Sequence, residues 1–344
     1  MKGYLTAFSL ECKKIFSSKG FWIFAIVSLV LCLIVTASFK SLGELVEGMD
    51  DSVLQGGEEE MTAAEMAKVY EAQLEAYRDA VESGEVSTKI SDKTETKLKN
   101  MIAICEFCAE NDLDINKLIT LGNLGSLNMS SADYVTLVSQ ITFAFVAIMA
   151  IVLAAKVFAG EIEDGTMRMQ LTRPIRRSVL LTAKHTAVFA TTMALGIVYL
   201  VLFMIIGAVF FDGSLMNVLI VDEYQNVAVI NPYTAILLMT LFSAVTVEVL
   251  IQFTIFIGGF ITKTGALAIP LVLYLFAESI ASLLYNTGLP WVGLFTNLKW
   301  INGLTPDGAP IKGMSIYTMI AVTTVWFAGM TAANYLMFEK RDLK

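Results

Sequence analysis

The stretch that decides the fold is residues 21–39, FWIFAIVSLVLCLIVTASF, in which every residue is uncharged. A helix needs about 20 mostly apolar residues to cross the hydrocarbon core of a bilayer. Over the whole chain 56% of the residues are hydrophobic and 16% are charged. In soluble domains roughly 45–50% of the residues are apolar and about 25% are charged. The sequence therefore predicts an all-α integral membrane protein and excludes an ordinary soluble domain.

Five further apolar runs follow the first span, which we call TM1 (residues 21–39). We predict the others at 134–158 (TM2), 187–211 (TM3), 233–261 (TM4), 266–284 (TM5) and 315–337 (TM6). Only residues 262–265 separate TM4 from TM5, so five spans is the main alternative to six. A cleaved signal peptide is disfavoured, because the first apolar run is longer than the roughly 7–15 residues typical of such peptides.

The positions of lysine and arginine predict the orientation of these spans. With the N-terminus inside, 14 of the 24 basic residues fall in cytosolic segments, and the shorter outer loops, including 285–314, carry only Lys299 and Lys312. The positive-inside rule then places both termini, including the tail 338–344, in the cytosol. The basic residues line a membrane face instead of a groove with interleaved aromatics, which argues against nucleic-acid binding.

Residues 1–20 are predicted to form an amphipathic helix lying in the cytosolic interface. One face, about 120° wide, carries Tyr4, Leu5, Phe8, Cys12, Ile15 and Phe16. Lys13, Lys14 and Glu11 fall outside that face, and lysines in this position favour contact with anionic membrane lipids. A short juxtamembrane helix without a further role is the alternative.

Segment 40–133 is predicted to be an acidic, helical, extracytoplasmic domain, because it holds 20 of the 32 acidic residues and has helical periodicity. Thr62 and Glu65 fit a capping box ahead of its first helix. Its acidic surface is either simply solvated or gathers a cationic substrate. Cys105 and Cys108 are interpreted as unpaired and partly buried; a disulfide across one helical turn is the alternative, and zinc lacks two further ligands.

The loop between TM2 and TM3, residues 159–186, carries the stretch 160–177, GEIEDGTMRMQLTRPIRR. Gly165 permits a turn, and a short helix with Met167, Met169 and Leu171 follows it. Pro174 suits the first position of a basic helix that continues into TM3. A short amphipathic helix between charge clusters suits docking into a groove on a cytosolic partner. The alternative is an ordinary charged loop that obeys the positive-inside rule.

This stretch resembles the signature of the ABC-2 family of ABC transporter permeases. The residues that match are Glu161, Glu163, Gly165, Thr166, Leu171, Thr172, Pro174, Arg176, Arg177 and Lys184. The layout is also similar: an interfacial N-terminal helix, six spans and a large outer loop after TM1. The resemblance implies that the loop contacts a separate ATPase subunit through Glu161, Glu163, Asp164, Gly165, Thr166, Met167, Arg168, Leu171, Arg173, Pro174, Arg176 and Arg177.

The same resemblance implies a dimer of two permease copies, or of this permease and a paralogue, in the bacterial cytoplasmic membrane. ATP and Mg would be bound by the partner ATPase, because the chain lacks a Walker A motif and is expected to be non-catalytic, with no cofactor or metal of its own. By analogy with the family, the expected cargo is an amphiphilic substrate such as an antimicrobial peptide or antibiotic.

Three polar residues within the predicted spans are candidates for a translocation path or a dimer interface. Glu248 lies near the middle of TM4 with Gln252 one turn later, and Glu278 lies in TM5. A carboxylate at membrane depth faces a protein interior or an aqueous cavity; a protonated Glu248 hydrogen-bonded to a neighbouring helix is the alternative. The rival functions are a membrane sensory or structural protein with a helical outer sensor, and an ion-coupled secondary transporter using Glu248.

Overall fold

The computed structural model describes residues 2–47, 62–83, 88–115, 118–120, 131–172, 175–210, 217–283, 287–309 and 314–340. It is 83% helical, which confirms the predicted helical membrane fold at this level. Within these described ranges, five helices are long and apolar enough to cross a membrane. They are α2 (Lys19–Glu47), α5 (Ser131–Ala155), α8 (Arg177–Phe210), α9 (Pro232–Gly258) and α13 (Ile316–Lys340).

The region predicted as TM5 is not one straight helix. It forms α10 (Lys263–Leu275) and α11 (Ala277–Leu283), which meet at an angle of 68°. The break follows Leu275, and α11 then brings Glu278 within 2.9 Å of the Lys299 ammonium. The single apolar run in the sequence gives no sign of this bend, since both helices are apolar.

The predicted outer loop 285–314 is also more structured than expected. Its described part holds α12 (Leu289–Val292) and two 3-10 turns, Phe295–Asn297 and Trp300–Leu304. Leu298 and Trp300 are buried, and the Thr246 hydroxyl of α9 donates to the Leu298 carbonyl at 3.0 Å. This segment therefore packs into the helix bundle instead of lying over it.

Contacts at the two ends of the bundle show how the chain runs between them. At one end the Lys263 amide donates to Glu163 Oε2, and Arg177 Nη1 donates to the Glu339 carbonyl near the end of α13. At the other end Asn100 Nδ2 donates to the Pro306 carbonyl. Between residues 263 and 306 the bent pair α10–α11 therefore carries the chain back along the bundle.

The N-terminal helix α1 (Lys2–Phe16) packs along α8. Ala7, Glu11 and Ile15 are buried, whereas Leu5 is 59% and Phe16 42% exposed. The buried face is centred on a carboxylate because α8 supplies a cation opposite it, as described below.

Two antiparallel helices, α3 (Ala63–Glu82) and α4 (Thr88–Glu110), make the predicted helical part of segment 40–133. The predicted capping box is confirmed: the Glu65 amide donates to the Thr62 hydroxyl and the Thr62 amide donates to the Glu65 carboxylate. Cys105 and Cys108 are free, as interpreted, but they are completely buried where partial burial was expected.

A small sheet joins this helix pair to the bundle and was not predicted. Strands β1 (Ile119–Thr120) and β2 (Val218–Val221) pair in parallel, and β2 pairs antiparallel with β3 (Val227–Ile230). Side chains alternate between the faces of a strand, so Val218 packs in a cluster with α5 and α9 while Leu219 packs with Ile104 of α4. Strands of two to four residues leave little periodicity to detect.

Candidate coupling site

The candidate site begins where α5 ends, in a five-residue π-helical turn, Lys156–Gly160. Such turns are frequent at functional sites. A single helical turn, α6 (Glu161–Glu163), follows, and then the short helix α7 (Thr166–Leu171). We call residues 161–172 the coupling segment. The helix after it, α8, begins at Arg177 and not at Pro174; Arg173 and Pro174 lie outside the described residues.

Gly165 makes the turn between α6 and α7. Its φ of +70° lies in the left-handed region, which side chains disfavour and glycine adopts freely. The predicted turn and the predicted short methionine-bearing helix are both present. The Thr166 hydroxyl at the start of α7 lies 3.4 Å from the Glu161 carbonyl at the start of α6.

An ionic cluster that is buried except for the half-exposed Lys14 holds the start of the coupling segment. Lys184 of α8 is completely buried, and its ammonium donates to Glu11 Oε1 at 2.8 Å and to Glu161 Oε2 at 2.5 Å. Lys14 of α1 forms an ion pair with the other oxygen of Glu161. Gln170 Nε2 of α7 also donates to Glu161, at 2.9 Å. We call Glu11, Lys14, Glu161 and Lys184 the ionic cluster.

The cluster is electrically balanced, with two carboxylates and two ammonium groups. Buried ions are tolerated when they are paired and hydrogen-bonded, and removing one partner leaves a costly uncompensated charge. Burial lowers the pKa of Lys14, and the nearby Lys184 ammonium lowers it further. The cluster ties α1, α8 and the coupling segment together at one point.

Sequence reasoning placed Glu161 on a surface that contacts a partner, but the structure buries it. It also treated Glu11 as part of a polar face. The sequence contains one sign that Glu11 is buried: it lies between Ala7 and Ile15 at helical spacing. A charge within an apolar helical face indicates a paired ion behind it.

Glu163 links the coupling segment to the bent pair. Its Oε2 accepts the Lys263 amide at 3.0 Å, at the first residue of α10. Thr262 precedes that helix without capping it through its side chain. A carboxylate at a helix N-terminus satisfies a free amide and interacts favourably with the helix dipole. Glu163 thus replaces the missing cap from another part of the chain.

The remaining predicted coupling residues divide into buried and exposed groups. Met167 is 1% exposed and packs inward, and Thr166 and Gly165 are partly buried. Arg177, also partly buried, contacts α13, and the side chain of Leu171 lies outside the described residues. The exposed predicted residues are Glu163, Asp164, Arg168 and Arg176. We call these four residues and the exposed Met169, which was not among the predicted contacts, the coupling surface.

A second polar cluster is centred on His185, the residue that follows Lys184 in α8. His185 Nε2 is 3.1 Å from Glu248 Oε1 and 3.2 Å from Gln252 Nε2. Asn334 of α13 donates to Gln252 Oε1 at 2.8 Å. The structure therefore brings Glu248 and Gln252 to one face, as their spacing predicted, and joins α8, α9 and α13 there.

Glu278, the third predicted path residue, lies elsewhere. Its carboxylate accepts from Lys299 at 2.9 Å and from Asn302 at 3.2 Å. Both partners line a cavity of about 300 Å³ between α5, α9, α10 and the 3-10 turns, with Phe143, Phe242 and Trp300 among its walls. The predicted path residues thus belong to two separate polar sites.

No group of three or more potential metal-binding side chains occurs within the described ranges. A comparison with curated proteins finds no match. A family model described as a protein of unknown function, DUF2705, matches residues 101–344, which include the coupling segment, the cluster of His185, Glu248 and Gln252, and the cavity, but not Glu11 and Lys14 of the ionic cluster. Since this match covers more than half of the sequence, the chain belongs to the DUF2705 family.

Proposed function

We propose that the chain is the permease subunit of an ATP-driven ABC exporter and docks a separate ATPase through the coupling surface. The observation that carries the proposal is the way in which the coupling segment is attached to the helix bundle. Its first residue is fixed in a buried ionic cluster, while Asp164, Arg168 and Met169 remain exposed. A charged surface around one exposed methionine suits a groove with an apolar floor and a charged rim on a partner.

The attachment of the coupling segment to several helices also suits the transmission of force. Glu161 bonds to α1 and α8, and Glu163 bonds to the start of α10. A partner that pushes on α7 would therefore displace three elements of the bundle together. Rigid-body shifts of helices at an interface are a common way to couple a remote event to an opening.

The substrate and the assembly belong to the same proposal. Two permease copies, or this permease and a paralogue, would form the path in the bacterial cytoplasmic membrane with both termini in the cytosol. The proposed cargo is an amphiphilic molecule such as an antimicrobial peptide or antibiotic. The 300 Å³ cavity has aromatic walls beside Lys299 and Asn302, which suits a part of such a molecule. ATP and Mg would be held by the partner.

Co-purification in detergent with the candidate ATPase tests the proposal. Wild type should retain the ATPase in a fixed ratio, and Arg168→Glu/Arg176→Glu should lose it, because both arginines are exposed on the coupling surface. Lys13→Glu/Lys19→Glu is the matched control, since it reverses two exposed charges outside that surface. If no ATPase binds wild type, the transporter proposal fails and a sensory or structural role replaces it.

An ion-coupled secondary transporter is the second candidate, and the contact between His185 and Glu248 favours it. A carboxylate paired with an imidazole inside a bundle can exchange a proton. In that case Glu248→Gln should abolish ion-driven transport in vesicles without ATP. Transport that requires ATP and survives Glu248→Gln would exclude this candidate.

A further inference from the structure

A second cavity, of about 180 Å³, lies at the same end of the bundle as the coupling segment. Three elements contribute one lysine each: Lys14 from α1, Lys156 from the π-helical turn and Lys263 from the start of α10. The convergence of three lysines from three separate elements is the feature that needs an explanation.

The charges around this cavity do not cancel. Glu161 is already paired with Lys14 and Lys184, and Glu11 balances Lys184. Among the described residues, neither Lys156 nor Lys263 has a carboxylate oxygen within ion-pairing distance; Lys156 donates instead to the Ser18 hydroxyl at 2.6 Å. Of the charged side chains that line the cavity, three are lysines and two are the carboxylates Glu161 and Asp164, so the lining carries one net positive charge. Glu163 accepts the Lys263 amide but does not line the cavity.

The cavity also has an apolar part. Ile15, Leu153 and Val157 line it together with the hydroxyl side chains of Ser18 and Thr166. A free inorganic anion gains nothing from such walls, whereas a lipid places its phosphate by the ammonium groups and its glycerol and first methylenes against them. The composition of the cavity is therefore that of a phospholipid headgroup site.

An independent observation places the cavity at the membrane interface. Ser18 lies in the turn between α1 and α2, and Trp22 follows one turn later, 52% exposed, with its indole nitrogen donating to the Phe16 carbonyl at 2.7 Å. Tryptophan is enriched at the level of lipid headgroups. From Ile23 onward α2 exposes apolar side chains, as a lipid-facing helix does.

We propose that this cavity binds the phosphodiester headgroup of an anionic phospholipid, held by Lys156 and Lys263. Basic pockets between helices at the membrane surface bind such headgroups. The bound lipid would bridge α1, the end of α5 and the start of α10, next to the coupling segment. The proposal requires a membrane-embedded chain and does not depend on an ATPase partner.

Native mass spectrometry of the delipidated full chain, titrated with phosphatidylglycerol or phosphatidylcholine, tests the proposal. Wild type should bind one phosphatidylglycerol in preference to phosphatidylcholine. Lys156→Gln/Lys263→Gln should weaken that binding about 25-fold, at about fivefold per lysine. Both lysines are exposed at their outer ends, so the variant should fold. Lys156→Arg/Lys263→Arg should restore binding, because the charge is kept.

Lys13→Gln/Lys19→Gln is the matched control, because it removes two exposed lysines at the same interface that do not line the cavity. An equal loss of lipid binding in the control would mean a diffuse charge effect and would overturn the site. Inorganic phosphate is the competing probe. If millimolar phosphate displaces the lipid from wild type, the cavity is a free-anion site and the lipid assignment is wrong.

Discussion

Among single residues, substitution of Lys184 is predicted to have the largest effect on the stability of the protein. It is completely buried and bonds to Glu11 and Glu161, two carboxylates from elements far apart in the sequence. Lys184→Met should destabilise the protein by about 3 kcal/mol, because breaking a buried ion pair leaves an unpaired charge behind. Thermal unfolding in detergent measures this as a large fall in Tm.

A second substitution within the ionic cluster is a control for Lys184→Met. Adding Glu11→Leu to Lys184→Met should recover much of the lost stability, because the unpaired carboxylate is then removed as well. Lys13→Met, on the exposed side of α1, should leave Tm nearly unchanged. Additive losses in the double variant would show that Glu11 and Lys184 do not stabilise each other.

Cys105 gives a prediction about pH. Burial raises the pKa of its thiol from 9.0 to about 11. The folded protein holds this proton more tightly than the unfolded chain, so the contribution of the thiol to stability is complete below pH 9 and is lost as the pH rises towards 11. Unfolding by denaturant should therefore become easier over that interval in wild type.

Cys105→Ala removes the titrating group and should flatten the pH dependence over the same interval. The buried thiols of Cys105 and Cys108 should also resist maleimide at pH 8 and react once the protein is unfolded. Rapid labelling of both thiols in the folded protein would contradict their burial.

Among elements, the joint between α6 and α7 depends on one glycine. Gly165→Ala should cost about 1 kcal/mol, because φ is +70° there although the space around it is open. Gly329 of α13 is the matched control: it also has open space, but its φ is negative, so Gly329→Ala should leave stability unchanged or raise it slightly. Equal losses of Tm would rule out backbone strain as the cause.

Local signals in the sequence predicted the elements better than the contacts between them. The capping box at Thr62, the turn at Gly165 and the apolar spans each depend on residues close in sequence. The pair of Glu11 and Lys184 joins residues 173 positions apart, and periodicity carries no information about such partners. The break before Ala277 was missed for a related reason, since Lys299, which holds Glu278 there, comes after the apolar run.

The whole molecule raises the question of how many times the chain crosses the membrane. Helix α1 and the end of α13 both lie at the end of the bundle that holds the coupling segment. From that arrangement we expect the bent pair α10–α11 to act as a sixth crossing. A re-entrant pair would leave five crossings and put the two ends of the chain on opposite sides.

Reporter fusions decide between these two arrangements. A fluorescent protein that matures only in the cytosol should be bright at residue 344, because six crossings return the chain to the side of α1. Alkaline phosphatase, active only outside, should be active when inserted after Ser83, between α3 and α4, and inactive at residue 344. The insertion after Ser83 is the positive control for export. An active phosphatase and a dark fluorescent protein at residue 344 would make α10–α11 a re-entrant loop, and the proposed cytosolic position of the end of α13 would then be wrong.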